Sequence, residues 1–407
     1  MGCVKFHLLL LFLTVLMASH AEAEDFDITK HGATPDEDIT QALSDAFKAA
    51  CDAPTKSKII IPKGTFPLSK ITLAGPCKAP VEVEVLGTVQ APADTKSFVG
   101  LDSWITFSYM DGFTLSGTGT FDGQGASAWE VNNCHKSQEC VKLPIGIRFD
   151  FITNGVVQDI TSLNAKYFHF NVLGCKNFVF QHVTITAPET SVNTDGIHIG
   201  RSDGLIVTDT NIATGDDCIS IGDGTKNLTV TNVICGPGHG LAIGSLGRQA
   251  KEEPVDLITM QHCTVKKAMF GVRIKSWPSA PGKPTVSNIR FEDITMEDVS
   301  TPMLIDQEYC PHNLCNLKSP SLVKISNVIF KGIRGTSSTR VVASLACSSG
   351  APCENIEVGD IDLKYTGKDG PALFTCSNVK PILSGKQDPP ACTEQAGADL
   401  PAAAASA

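Results

Sequence analysis

The sequence predicts an all-β chain wound as a right-handed parallel β-helix, a solenoid with a short capping helix at its N-terminal end. Three observations carry this expectation. From about residue 154 a nine-residue pattern recurs eight times, each copy a turn residue followed by alternating apolar and polar positions. The copies are rich in Val, Ile, Thr and Phe with period two, which marks strand rather than helix. Their start-to-start spacing of 23 to 34 residues fits one coil of a stacked array.

Composition is consistent with one large core. The chain has 407 residues, 42% hydrophobic and 19% charged, with a net charge of -10. That is too apolar for disorder, and the charged share lies below the roughly 25% of an average domain. Length alone would give two or three domains. The repeat instead places residues 24–393 in a single unit. An acidic chain with a pI near 5.5 lacks the basic face that nucleic acid requires.

Residues 1–23 read as a secretory signal. Lys5 supplies the basic end, Leu8 to Met17 the apolar stretch, and Ala21-Glu22-Ala23 the cleavage pattern. Ten apolar residues are about half of a bilayer span, so no membrane anchor is expected. The mature protein is expected to begin near Glu24, secreted into the extracellular space. Next come Asp36, Glu37 and Asp38, then Ile39, Ala42, Leu43, Ala46, Phe47 and Ala50 at helical spacing. This predicts an amphipathic capping helix with acids in its first turn.

The repeat itself is NGVVQDITS from Asn154, NFVFQHVTI from Asn177, GLIVTDTNI from Gly204 and NLTVTNVIC from Asn227. Further copies are LITMQHCTV from Leu257, NIRFEDITM from Asn288, LVKISNVIF from Leu322 and NIEVGDIDL from Asn355. Leucine-rich repeats would need an L-x-x-L-x-L frame that is absent. A sandwich would not repeat its side-chain pattern so regularly. The last twenty residues, rich in Ala and Pro, read as a loose tail, with disorder expected over 394–407.

Fourteen cysteines remain once Cys3 leaves with the signal. Close pairs are Cys134/Cys140, Cys218/Cys235, Cys310/Cys315, Cys347/Cys353 and Cys376/Cys392. No C-x-x-C pairs with partnering histidines are present, so disulfides are favoured over zinc. Asn227 opens the sole N-x-S/T triplet and is the expected glycan site.

Four segments overlay on a shared isoleucine: Ile199, Ile221, Ile243 and Ile274. Four residues before each stand Asp195, Asp217, His239 and Phe270, with Asp216 beside Asp217. Coils stack about 4.8 Å apart, so two carboxylates and an imidazole fall in one column. Arg273 falls on the column of His198 and Lys275 on that of Gly200. Three crowded carboxylates repel, and at least one should stay protonated at mildly acidic pH. Such a set can supply a general acid and a general base. A calcium site and plain turn-forming aspartates are the competing readings. Histidine, arginine and lysine on neighbouring coils favour catalysis, and two or three carboxylates point to glycoside hydrolysis. Arg273 and Lys275 would suit a substrate bearing carboxylates.

Asn193-Thr194-Asp195, Gly215-Asp216-Asp217, Gly238-His239-Gly240 and Arg273-Ile274-Lys275 resemble, in order and spacing, the four signature motifs of the polygalacturonases, glycoside hydrolase family 28. The resemblance spans almost the whole mature chain and within the family is nearest to plant pollen-type exopolygalacturonases, including the grass pollen allergen group. It implies Asp216 as general acid, Asp195 and Asp217 activating the attacking water, and His239 assisting the acid. It implies Arg273 and Lys275 on the galacturonate carboxylate, Asn193 supporting the subsite, and Tyr309 beside the cleft. It also implies a Cys218–Cys235 disulfide. His198 is left open between lining the cleft and filling a turn.

The expected activity is inverting, exo-acting hydrolysis of α-1,4-linked polygalacturonic acid (pectin) in the cell wall, by a monomer needing no metal or cofactor. An endo-acting enzyme, a pectate lyase and a non-catalytic pectin-binding protein are the alternatives.

Overall fold

The computed structural model describes residues 24–133, 142–311 and 315–392. The signal segment 1–23, the Cys134/Cys140 pair and the tail 394–407 lie outside the described residues.

Among the described residues the strands form two sheets, and each strand pairing in them is parallel. One sheet has eleven strands that neighbour one another in chain order, from Ile71–Ala74 to Leu373–Ser377. Between consecutive members the chain crosses through the second, larger sheet, as a parallel β-helix requires. In the middle coils that sheet takes two short strands per turn, such as Lys176–Gln181 and Thr184–Thr186. Later coils fuse them into one bent strand, Thr285–Val299, Lys324–Ser337 and Glu354–Tyr365.

Period-two alternation produces the core. Phe178, Leu205, Leu228, Ile258, Ile289, Val328 and Ile356 are in register through successive coils, and all are buried. Phe180, Val207, Val230, Met260, Phe291, Phe330 and Val358 form a second inward row two residues on. At about 25 cal/mol per Å² of apolar surface, these continuous rows are the main stabilising term of the stack.

The turn residue of the repeat has a conformational cause. Asn154, Asn177, Asn227, Asn288, Asn327 and Asn355 all adopt left-handed backbone, with φ between 51° and 57°. Asparagine tolerates that region better than other non-glycine residues. The amides also stack: Asn177 donates to Asn154 at 3.2 Å, Asn327 to Asn288 at 3.3 Å, and Asn355 to Asn327 at 2.7 Å. Asn227 belongs to this exposed row and donates to Asp203 Oδ1 at 2.6 Å.

Coils that lack the visible repeat pattern stack before residue 154 as well, with Ser57–Ile61, Val81–Val85 and Phe113–Ser116 in the same sheet position. The structure corrects the sequence reading in two places. The seventh copy starts at Asn327, not Leu322, since Asn327 stands on Asn288, 39 residues away. The long connection through 307–323 had displaced the alignment. The helix runs Thr40–Asp52 and buries Ala42, Leu43, Ala46, Phe47 and Ala50 as expected, but its first turn holds no acid. Asp36–Asp38 precede it, and Asp38 Oδ1 accepts from Thr40 N at 2.8 Å.

Disulfides join Cys218–Cys235, Cys310–Cys315, Cys347–Cys353 and Cys376–Cys392, and also Cys51–Cys77, which sequence proximity did not mark. Cys175 and Cys263 are free and buried. Among the described residues no helix is long and apolar enough to cross a membrane.

Candidate active site

Four strands of the eleven-stranded sheet, Ile197–Gly200, Ile219–Ile221, Leu241–Leu246 and Phe270–Ser276, carry the site. Ile199, Ile221, Ile243 and Ile274 are in register and fully buried, which is the inward ladder expected from the overlay. The alternate positions face outward, so His198, Ser220, Ala242 and Arg273 form a second register row. Arg148 and Asn171 extend that row toward the N-terminal coils.

The turns entering these strands bring the acids together. Gly215 is required there, because a Cβ would sit 2.0 Å from the Ser191 carbonyl oxygen of the preceding coil. Its absence lets Asp216 and Asp217 pass close over that turn. Asp195, Asp216, Asp217 and His239 are all buried, as are Asn193, Arg273, Lys275 and Tyr309.

Asp216 lies at the centre. Its Oδ1 accepts from the Asp217 backbone N–H at 2.7 Å and shares a hydrogen bond of 3.0 Å with His239 Nδ1. Its Oδ2 accepts from Asn193 Nδ2 at 3.4 Å. Asn132, beyond the helix Ala126–Val131, donates in turn to Asn193 Oδ1 at 3.1 Å.

Asp217 is held by two cations. Arg273 Nη2 donates to Oδ1 at 2.8 Å and Lys275 Nζ to Oδ2 at 2.7 Å. Burial pushes this carboxyl up, but Lys275, Arg273 and His239 outweigh it and hold it below the usual carboxylate range. The two basic residues thus meet the acid itself, a pairing the column overlay did not foresee. Both keep capacity beyond it. Among the described residues Arg273 Nε is buried without a hydrogen-bond partner, and an ammonium has three donors.

Asp195 responds oppositely. Burial first, then repulsion from Asp216 and Asp217, raise its carboxyl well above the ordinary range, against Lys275 and a hydrogen bond from Ser220. The acid whose carboxyl is raised is thus Asp195, with burial the larger cause and crowding by Asp216 and Asp217 the second.

Aromatic groups surround the cations. Arg273 lies 4.1 Å from the Phe270 ring centroid, and Lys275 lies 5.2 Å from that of Tyr309. Tyr309 meets Trp277 edge-on at 5.2 Å. Such contacts stabilise a desolvated cation by about 0.5–2 kcal/mol each. Phe168 and Tyr167 stack at 4.4 Å on the N-terminal side, and Phe168 lies 5.2 Å from His198. A cavity of about 420 Å³ adjoins His239, bounded also by Glu189, Lys267, Met269 and Asp298.

Asp216, Asp217 and His239 offer donor atoms within 4.8 Å of one another, the spacing of a metal site. The set suits a hard cation poorly. Both Asp217 oxygens are occupied by cations, and calcium needs six to eight oxygen ligands. Cys218–Cys235 closes 17 residues directly behind Asp217 and acts as a staple.

Sequence reasoning passed over Ser220, Tyr167, Phe168, Trp277 and Asn132. Ser220 was visible in the overlay, in the row of His198 and Arg273. The aromatics and Asn132 lie in connections of irregular length that carry no periodic signal.

Comparison with known proteins places this geometry. Residues 51–392 match the family model described as glycosyl hydrolases family 28. The chain is similar to a polygalacturonase of Brassica napus, 51% identical over 93% of this chain and 94% of the relative. It is likewise similar to an exopolygalacturonase of Platanus acerifolia, 50% identical over 89% of this chain and 96% of that one. Among solved structures, an endo-xylogalacturonan hydrolase from Aspergillus tubingensis superposes with a TM-score of 0.77 at 23% identity, covering 89% of this chain and all of the other. At that identity the likeness concerns the fold.

Proposed function

The chain belongs to glycosyl hydrolase family 28, and from that premise we propose that it hydrolyses α-1,4-galacturonosidic bonds of polygalacturonate with inversion, releasing galacturonic acid from a chain end. The observation that carries this reading is the buried set Asp195, Asp216, Asp217 and His239, with Arg273 and Lys275 against it.

In this reading Asp216 protonates the leaving oxygen, and His239, bonded to its Oδ1, governs that proton. Asp195 and Asp217 position the water and take its proton as it attacks the opposite face of the sugar. Arg273 and Lys275 bridge Asp217 and the galacturonate carboxylate, using the donors that Asp217 leaves free. Asn193 and Tyr309 bound the same subsite. The catalytic set comes from one chain, so a monomer suffices. The expected leader at 1–23, the five disulfides among the described residues and the exposed Asn227 support action outside the cell, on wall pectin, by a glycosylated protein.

A product time course on a defined galacturonic acid oligomer, with the anomeric form followed by NMR, tests this. Monomer alone from the outset, released with inverted configuration, is the expected result. A spread of mid-length oligomers would overturn exo action. An ultraviolet-absorbing unsaturated uronide would replace hydrolysis with elimination, and no cleavage would leave a binding protein.

A further inference from the structure

Ser220 and His198 lie on the outward row of the site and take no part in the motifs that carry the family resemblance. Ser220 is buried, and its Oγ donates to Asp195 Oδ2 at 2.8 Å. Among the described residues it is the sole hydrogen-bond donor to that carboxyl. His198, its register partner on the preceding strand, places Nδ1 2.8 Å from the same Oγ.

Proton counting fixes the arrangement once Asp195 is ionised. A serine hydroxyl has one hydrogen, which then goes to the carboxylate, so Oγ accepts from His198 Nδ1–H. His198 is therefore the Nδ1–H tautomer, with Nε2 left as an acceptor. Burial supports the neutral ring by bringing its pKa down to about 4. Space beside Nε2 depends on Gly222, where a Cβ would come within 3.3 Å of it.

We infer that His198 and Ser220 form a positioning relay that orients the Asp195 carboxylate and favours its ionised form, so that Asp195 can accept a proton from the attacking water. The inference rests on the hydrolase reading above. Without the relay, Asp195 would face Asp216 and Asp217 from the adjacent turn and Tyr167 from the preceding coil, with Lys275 alone as a compensating charge. His198 in turn faces Asp217, Asp223 and Lys275. A hydroxyl donor stabilises a carboxylate over a carboxylic acid, and a neutral imidazole adds no charge to disturb the neighbouring pair.

The test is the pH profile of kcat/KM on a galacturonic acid oligomer for wild type, S220A, H198N and H198Q, with thermal unfolding measured on each. Hydrogen bonds to charged groups are worth enough for S220A to lower kcat by about 10- to 100-fold. Its acidic limb should move up by about one pH unit, with KM little changed. H198N keeps a donor at the Nδ1 position and should retain most activity, whereas H198Q, whose amide reaches the Nε2 position, should behave like S220A. An unmoved acidic limb in a folded S220A, or equal losses in H198N and H198Q, would overturn the relay. Should S220A not fold, the two histidine variants decide. An inactive wild type would instead remove the hydrolase reading beneath it.

Discussion

Asp216→Asn should leave a folded protein whose turnover on polygalacturonate falls by about 10²- to 10⁴-fold, the range a positioned general acid contributes. The amide is nearly isosteric, and its oxygen can still accept from the Asp217 N–H, so what is lost is the long 3.4 Å contact from Asn193 Nδ2, a donor that would now meet an NH2. What it cannot do is release a proton to the leaving oxygen. Initial rates of reducing-sugar formation, with circular dichroism as the folding control, measure the effect. Near-normal turnover in the folded variant would remove Asp216 from that role.

Asp217→Ala should be costly in a different way. Arg273 and Lys275 are buried, and each loses its carboxylate partner in this variant. Breaking a buried ion pair from one side typically costs about 3–5 kcal/mol, because the stranded charge has no solvent to turn to. Denaturant unfolding should show that loss together with inactivity. The pH dependence carries a sign. The Asp217 carboxyl titrates below its ordinary value of 3.8 in the folded state. Its stabilisation is therefore present above that value and lost as pH falls through the depressed folded pKa. Asp195 acts in the opposite sense. With its folded pKa raised, its contribution is full below 3.8 and declines as pH rises through the folded value. The variant should lack the acid-side decline that belongs to Asp217. An unchanged unfolding curve at neutral pH would mean that the two cations find other partners.

Much of this architecture can be read in the residues. The turn asparagines, the alternation behind them and the four isoleucines are local signals that a regular stack converts directly into columns, and Ile199, Ile221, Ile243 and Ile274 stand in register as the overlay places them. The pattern is lost where the turns change. The coils at Val81 and Phe113 lack the turn asparagine, and the insertion before Asn327 shifts the apparent start by five residues. The site is legible as a set of residues more than as a set of bonds. Registry puts Arg273 and Lys275 on the face that also holds Asp217, but side-chain length and direction decide that they reach it. Ser220 looks like any polar strand residue until its neighbours on both sides are known.

The reach of Arg273 also bears on how the solenoid comes apart. In a stacked array each unit ordinarily touches its immediate neighbours, and unfolding can propagate inward from either end one unit at a time. The Asp217–Arg273 bond joins residues 56 apart in sequence and bypasses the intervening strand Leu241–Leu246. A contact that skips a unit ties three coils into one cooperative block. Fraying of the terminal coils should therefore stop at this block, and the proposed catalytic set would be among the last parts to melt. Native-state hydrogen exchange should find the amides of Ile219–Ile221 and Leu241–Leu246 opening together, at higher free energy than those near either end. Independent opening of these strands would show that the bond contributes no such coupling.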